Sequence, residues 1–467
     1  MSEKRGCLLR GLKGLCYFVL ALAVLHAGLT LWAGRKLERE LEALRKGGEP
    51  VTPADLSGPE ISPERNAFTY LSEAGRFMMS VPDRERLLKT YQTALEPGQP
   101  DWGAVEQALE RFAPAERLIR RALECPDARM VDWKRADVLT RTFSDLSATR
   151  ELARLLGARS ALAAQRGDTA GAVRYAIEIL RLSGCLRNEP TMIAQLVRYA
   201  IIATGTQRMD VALSSPRGLS VEQATDAFDV VSRIGLSDSM EMALRGERIL
   251  IFTAMTEARK GPMGVGLLTA AEPGFPPRET TRMRRVMDRV LGYVLAPATY
   301  LDQLSYLDLA KRQMEALRAP ASERPKLLSE ADESLRSTPR YAIFTRLIAP
   351  VFGRSMNQCL AAEANIEACK AMLAIAAYRA RTGTYPATLK EACALLGRPV
   401  PRDPFTGSEL RYRREGSAYL LYSVGENLRD DGGAPQVKRS EDEREGDLVW
   451  GGGRSAIGKK CRVNPTR

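Results

Sequence analysis

Few residues in this chain have the type and spacing for catalysis or metal binding. There is one histidine, His26, and it lies inside an apolar N-terminal run. Ser-His-Asp and Cys-His catalysis, and any zinc site that uses imidazole, therefore have no source within a single chain. Cys7 and Cys16 belong to the N-terminal segment, and Cys125, Cys185, Cys359, Cys369, Cys393 and Cys461 lie beyond it. No C-x-x-C pair occurs, which argues against thiolate clusters and thioredoxin-like chemistry. The six distal cysteines fit either disulfides in an oxidising compartment or buried free thiols. Gly453-Arg-Ser-Ala-Ile-Gly458-Lys459 has the outline of a phosphate-binding loop. Lys460 stands where a magnesium-binding Ser or Thr belongs, so the stretch reads as a basic tail. Glu330, Asp332 and Glu333, and the run Glu441 to Glu445, lie in charge-rich segments and read as solvated surface. No catalytic or cofactor-binding motif emerges.

The formal charge is +12. Arg and Lys are interspersed with Asp and Glu, the pattern of solvated helix faces, and no nucleic-acid signature accompanies them. The chain is thus read as binding no nucleic acid.

The elements that must position any site are mostly helices. A basic tail (Lys4, Arg5, Arg10, Lys13) precedes Leu15–Gly34, which carries no charge. About 20 such residues span a bilayer core of about 30 Å. Residues 1–36 read as a cytoplasmic tail and an uncleaved transmembrane anchor, and residues 37–63 as a linker; the alternative is a cleaved signal peptide, against which Leu31 stands where a small residue is wanted before Ala33. The basic tail places the N-terminus inside. The expected location is the bacterial cytoplasmic membrane, crossed once, with the bulk of the chain outside the cytoplasm.

Residues 64–346 read as an α-helical domain, with apolar residues at three- and four-residue spacing. Ala104–Leu123 is predicted as one helix. Trp102 and Trp133 are expected in the core. Leu152–Leu186 is predicted as a helical hairpin broken at Gly167-Asp168, similar to tetratricopeptide-type repeats, and another helix follows Pro190. An irregular bundle is the competing reading. Gly261–Thr280 reads as a long loop. Helices resume from Thr281 to Leu317 and up to Arg346, and Pro350 with Gly353 marks a break. A helix from Arg354 to Arg381 capped by Gly383 and a short one over Ala387–Leu396 come next. The period then changes to two, predicting strands at Leu410–Arg413, Tyr419–Ser423 and Asp447–Trp450, with a turn at Glu415-Gly416. Residues 354–450 thus form a small α+β domain, and 451–467 a disordered tail. The fold class is mainly α.

Thr382-Gly-Thr-Tyr-Pro386, Asp403-Pro-Phe-Thr-Gly407, Leu410-Arg-Tyr412, Leu421-Tyr-Ser-Val-Gly425, Asp430-Asp-Gly-Gly433 and Asp447-Leu-Val-Trp450 occur in that order. Together they resemble the C-terminal half of type II secretion major pseudopilins, over roughly residues 355 to 450. The resemblance implies a pilin-type helix, a small antiparallel sheet and a closing loop with a structural calcium ion. It assigns Ser423, Asp430, Asp431 and Asp447 as calcium ligands, with backbone carbonyls completing the shell. A glycine-flanked acidic loop suits the six to eight oxygens calcium takes. Its alternative is a solvated loop whose Asp side chains make turns. The chain departs from the family in its anchor, which lacks a prepilin-peptidase site, so processing into a pilus subunit is not expected.

The reading is a non-catalytic, membrane-anchored cell-envelope protein with a protein-interaction or scaffold role in a secretion or pilus-like system. The helical domain would bind a protein partner and the pseudopilin-like end would dock. The alternatives are a carboxylate-based envelope hydrolase, which needs two inward-facing acids, and a purely structural envelope component.

Overall fold

In a computed structural model, residues 2–130, 133, 138–215, 217–259, 282–320, 323–438 and 444–451 are described. The predicted loop at 261–280, the phosphate-loop-like stretch and all of the tail but Gly451 lie outside the described residues.

The chain is mainly helical. Helix α1 is Ser2–Lys46, 45 residues long. Its Gly14–Lys46 part is long and apolar enough to cross a membrane, a property shared with signal sequences. Gly48, at φ +74°, ends it in the left-handed region that glycine adopts without strain. Two compact units follow from the contacts, and neither is continuous in sequence. The first comprises residues 1–57, 245–315 and 328–351, and the second 58–244, 316–327 and 352–467.

In the second unit α2 (Ala67–Ser80), α3 (Arg84–Gln92), α4 (Trp102–Glu110) and α5 (Ala113–Glu124) precede a long α6 (Val138–Gln165). The single helix predicted over Ala104–Leu123 is therefore two. Pro114 falls in the first turn of α5, where its missing N–H costs nothing, and the chain breaks just before it. Trp133 is in the core, whereas Trp102 is half-buried at the start of α4.

The hairpin at Gly167-Asp168 forms as predicted. Gly167 has φ +72°, and the Asp168 carboxylate accepts from Gly171 N at 2.8 Å, capping α7 (Thr169–Gly184). Next comes α8 (Met192–Leu213), which packs on both α6 and α7. Gly205 lets the backbones of α7 and α8 approach, since a Cβ there would lie 2.7 Å from Leu180 Cδ2. The capping box of α9 (Val221–Ser232) is made by Ser220 and Gln223. Cys185, Cys359, Cys369 and Cys393 are buried free thiols.

Later come α10 (Ser237–Ala258), α11 (Arg282–Arg318), α12 (Arg324–Arg336), α13 (Ile343–Thr382) and α14 (Leu389–Leu395). The break predicted at Pro350 and Gly353 does not occur, because α13 runs through both. An interior proline removes one backbone hydrogen bond, a local cost of about 3 kcal/mol that packing along a 40-residue helix can offset. Gly383, at φ +76°, closes the helix as expected.

The sheet holds β1 (Arg411–Glu415), β2 (Ala418–Ser423) and β5 (Leu448–Trp450), antiparallel in the order β1-β2-β5. Each predicted strand is present, shifted by one or two residues at its ends. Gly416, at φ +60°, opens the two-residue turn between β1 and β2, as a type II′ hairpin requires. A two-stranded ribbon, β3 (Val437–Lys438) with β4 (Arg444–Glu445), stands apart in the ladder.

Candidate functional site

The end of β2 is tied to the turn before the sheet by Asp403. Its buried Oδ1 accepts from the Ser423 hydroxyl at 3.0 Å and from Phe405 N at 2.9 Å, and its Oδ2 accepts from Val424 N at 3.1 Å. Ser423 Oγ in turn accepts from Gly425 N at 3.1 Å. Charge-assisted bonds of this kind are among the stronger ones in a protein interior.

The second anchor is Asp447, also fully buried. Its carboxylate accepts from Gly433 N at 2.7 Å and from Asp431 N at 3.4 Å, folding the 430–433 loop onto β5. Burial raises its pKa and the backbone N–H groups hold it back down. Asp430 is exposed. One of its oxygens takes the Tyr422 hydroxyl at 3.0 Å and Gly432 N at 3.0 Å, and the other faces Arg411 Nε at 3.5 Å. Asp431 accepts from Asn427 Nδ2 at 2.9 Å.

Asp430, Asp431 and Asp447 thus border one loop, while Ser423 is bound to Asp403 instead. The oxygens meet donors of the chain itself, and no three His, Cys, Asp or Glu groups arranged to hold a metal occur among the described residues. Calcium takes six to eight oxygens, and here the carboxylates of Asp430, Asp431 and Asp447 accept from N–H and O–H donors of the chain. Sequence reasoning passed over Asp403 as a functional side chain. Its signal was the Asp-Pro turn at the mouth of a Gly-ended loop.

The sheet is fixed to the helices by two polar bonds from β5 and the residue after it. Trp450 Nε1 donates to Asn365 Oδ1 at 3.1 Å, and Gly451 N donates to Asp210 Oδ1 at 3.1 Å. Asn365 on α13 also accepts from Thr206 of α8 through its carbonyl, at 3.4 Å.

Two clefts open beside these contacts. The first, about 530 Å³, is lined by Leu219, Met372, Ile375, Arg379, Tyr385 and Tyr419, with Arg217 at its edge. Arg379 donates to the Tyr385 hydroxyl at 3.0 Å and its guanidinium lies 5.0 Å from that ring. Neither Arg217 nor Arg379 is ion-paired with a carboxylate among the described residues. The second cleft, about 540 Å³, is lined by Gly235, Glu363, Glu367, Lys370, Arg402 and Asp403. Burial raises the Glu363 pKa, Arg324 at 3.8 Å lowers it, and Glu367 one turn along raises it again. Glu367 is ion-paired with Lys370 at 2.6 Å.

The fold and these sites define a mainly helical protein with a single N-terminal apolar helix and a small three-stranded sheet. Compared with protein-family models, with curated proteins and with solved structures, the chain finds no match in any of the three.

Proposed function

We propose that this is a non-catalytic, membrane-anchored docking protein of the bacterial cell envelope, working in a secretion or pilus-like system. Helix α1 is its anchor in the cytoplasmic membrane, with the bulk of the chain outside the cytoplasm. The α6–α7–α8 hairpins are read as tetratricopeptide-like, and α13 with the sheet as a pseudopilin-like module. The first cleft carries the proposal. An apolar and aromatic wall under two guanidiniums suits a polypeptide segment with an apolar side chain and a carboxylate. Ser220, at the rim of this cleft, accepts from Gln223 N at 3.1 Å and so caps α9.

The test is photo-crosslinking in cells from p-benzoylphenylalanine placed at Val221. Capture of one defined envelope protein is expected, and its loss in the Arg217→Glu, Arg379→Glu double variant. No capture, or capture that the charge reversal leaves unchanged, overturns the reading.

A second reading has its own observation. Glu363 and Glu367 share the other cleft, and a carboxyl with a raised pKa one helical turn from a second carboxyl suits general acid and base work. An envelope hydrolase would then lose glycan cleavage in Glu363→Gln. Purified full-length chain that cleaves no cell-wall glycan sets this reading aside.

A further inference from the structure

Two of the free thiols stand at neighbouring helix ends of the second unit. Cys125 is the C-cap of α5, and Cys185 the C-cap of α7. The two helices are tied side by side. Arg120 Nε donates to Glu178 Oε1 at 3.4 Å, and Arg181 Nη2 donates to the Leu123 carbonyl at 2.7 Å. Both pairs are 58 positions apart, so α5 and α7 run parallel in one register. In that register Cys125 stands level with Ser183, about 3 Å along the axis from Cys185. Cys185 keeps helical backbone angles, and around α7 it falls within about 60° of Glu178 and Arg181. It therefore shares the face that α7 turns to α5.

The two sulfurs have different surroundings. Cys185 is buried, and burial together with the nearby Cys125 sulfur pushes its thiol up to about 12. Cys125 is half-buried, and its thiol donates weakly to Glu64 O at 3.6 Å and Arg121 O at 3.5 Å. It is the sulfur that an oxidant reaches first. Cys359 and Cys369 cannot pair in the same way. They are ten residues apart on α13, about 15 Å along its axis, against the roughly 7 Å between Cα atoms that a disulfide tolerates.

We propose that Cys125 and Cys185 form a disulfide when the folded chain meets an oxidising compartment, stapling the end of α5 to the end of α7. The oxidant is itself a disulfide, small or protein-borne. Cys125 Sγ attacks it, forming a mixed disulfide and releasing one thiolate. Cys185 Sγ then attacks Cys125 Sγ and releases the other. Two electrons pass to the oxidant, and the two thiol protons end on its sulfurs. The bond closes a loop of the chain between α5 and α7, which restricts the unfolded state, so oxidation raises the melting temperature. Cytosolic thiols are kept reduced, so in cells the bond rests on the bulk of the chain lying outside the cytoplasm.

The experiment uses the full-length chain in detergent, first reduced and then held in an oxidising glutathione buffer. The chain is unfolded in iodoacetamide, and its peptides are read by mass spectrometry. Loss of two alkylatable thiols is expected, with one peptide pair joined through Cys125 and Cys185 while Cys359 and Cys369 are alkylated. The joined pair should vanish in Cys125→Ser. In Cys185→Ala, glutathione should stay on Cys125, which keeps the test open should the serine variant fail to fold. Alkylation of both cysteines, or a glutathione adduct on Cys125 that Cys185 does not displace, overturns the bond. Acid trapping of thiols in whole cells then tests the location separately. A bond that forms in the purified chain and is absent in cells overturns the placement outside the cytoplasm and leaves the pair standing.

Discussion

The Ser423 hydroxyl donates to the Asp403 carboxylate at 3.0 Å, joining two residues 20 positions apart and both buried. The same carboxylate takes the backbone N–H groups of Phe405 and Val424, so one side chain holds the turn, the strand end and the next loop. Replacing it strands three buried donors. Asp403→Ala is expected to cost about 2–4 kcal/mol, and Ser423→Ala less, about 1–2 kcal/mol, because it strands only Gly425 N while Phe405 N and Val424 N keep their acceptor. Urea denaturation of the detergent-solubilised chain measures both, and amide exchange at Val424 should accelerate in the first variant alone.

Closure of the 430–433 loop by Asp447 carries a prediction about metal. Its acceptors already meet Gly433 N and Asp431 N. With these bonds closing the loop, a chelator is expected to leave the melting temperature unchanged; a bound structural calcium would instead make it fall. A rise in melting temperature on adding calcium, lost in Asp431→Asn, would place an ion in this loop.

Gly205 lies where α7 and α8 come closest. A Cβ at that position would lie 2.7 Å from Leu180 Cδ2 and 3.3 Å from Ile179 Cγ2. Gly205→Ala gains up to about 1 kcal/mol in helix propensity but must displace packed side chains at about 1–3 kcal/mol. A net loss of stability is expected. In a double-mutant cycle with Leu180→Ala the two changes should compensate, and strict additivity would show that Leu180 is not the obstacle.

Glu189 gives a pH dependence. It is buried, accepts from Met130 N at 2.7 Å, and burial pushes its carboxyl from 4.5 up to about 7. The folded state then holds this proton more tightly than the unfolded one. Its penalty is absent below about pH 4.5, grows as pH rises through that range, and is complete above about pH 7, at roughly 3 kcal/mol. Glu189→Gln keeps an acceptor for Met130 N and should stabilise the chain at pH 8 but not at pH 4. Denaturation curves at the two pH values check the sign.

Much of the local architecture was legible in the residues themselves. The uncharged run from Leu15 to Gly34, the Gly167-Asp168 hairpin, the Gly383 cap and the Gly416 turn each depend on neighbours a few positions away, and propensity and capping act at that range. Local signals misled where packing overrode them, as at Pro350, which α13 passes through. Pro114 is the converse, a local signal that marks the first turn of α5.

The acidic loop shows the boundary most clearly. Its residues were visible as candidates, yet their partners were not. Composition alone says that Asp430, Asp431 and Asp447 offer oxygens; only the tertiary structure decides that those oxygens face N–H groups, an amide and a hydroxyl. The sharing of one cleft by Glu363 and Glu367 with Arg402, and the approach of Tyr293 to His26 across 267 positions, were likewise undetermined by sequence. Sequence determined which segments are apolar, helical or turning, because those properties are local. Tertiary structure decided which distant segments share a unit and which charges are buried, because burial depends on contacts between residues far apart in the chain.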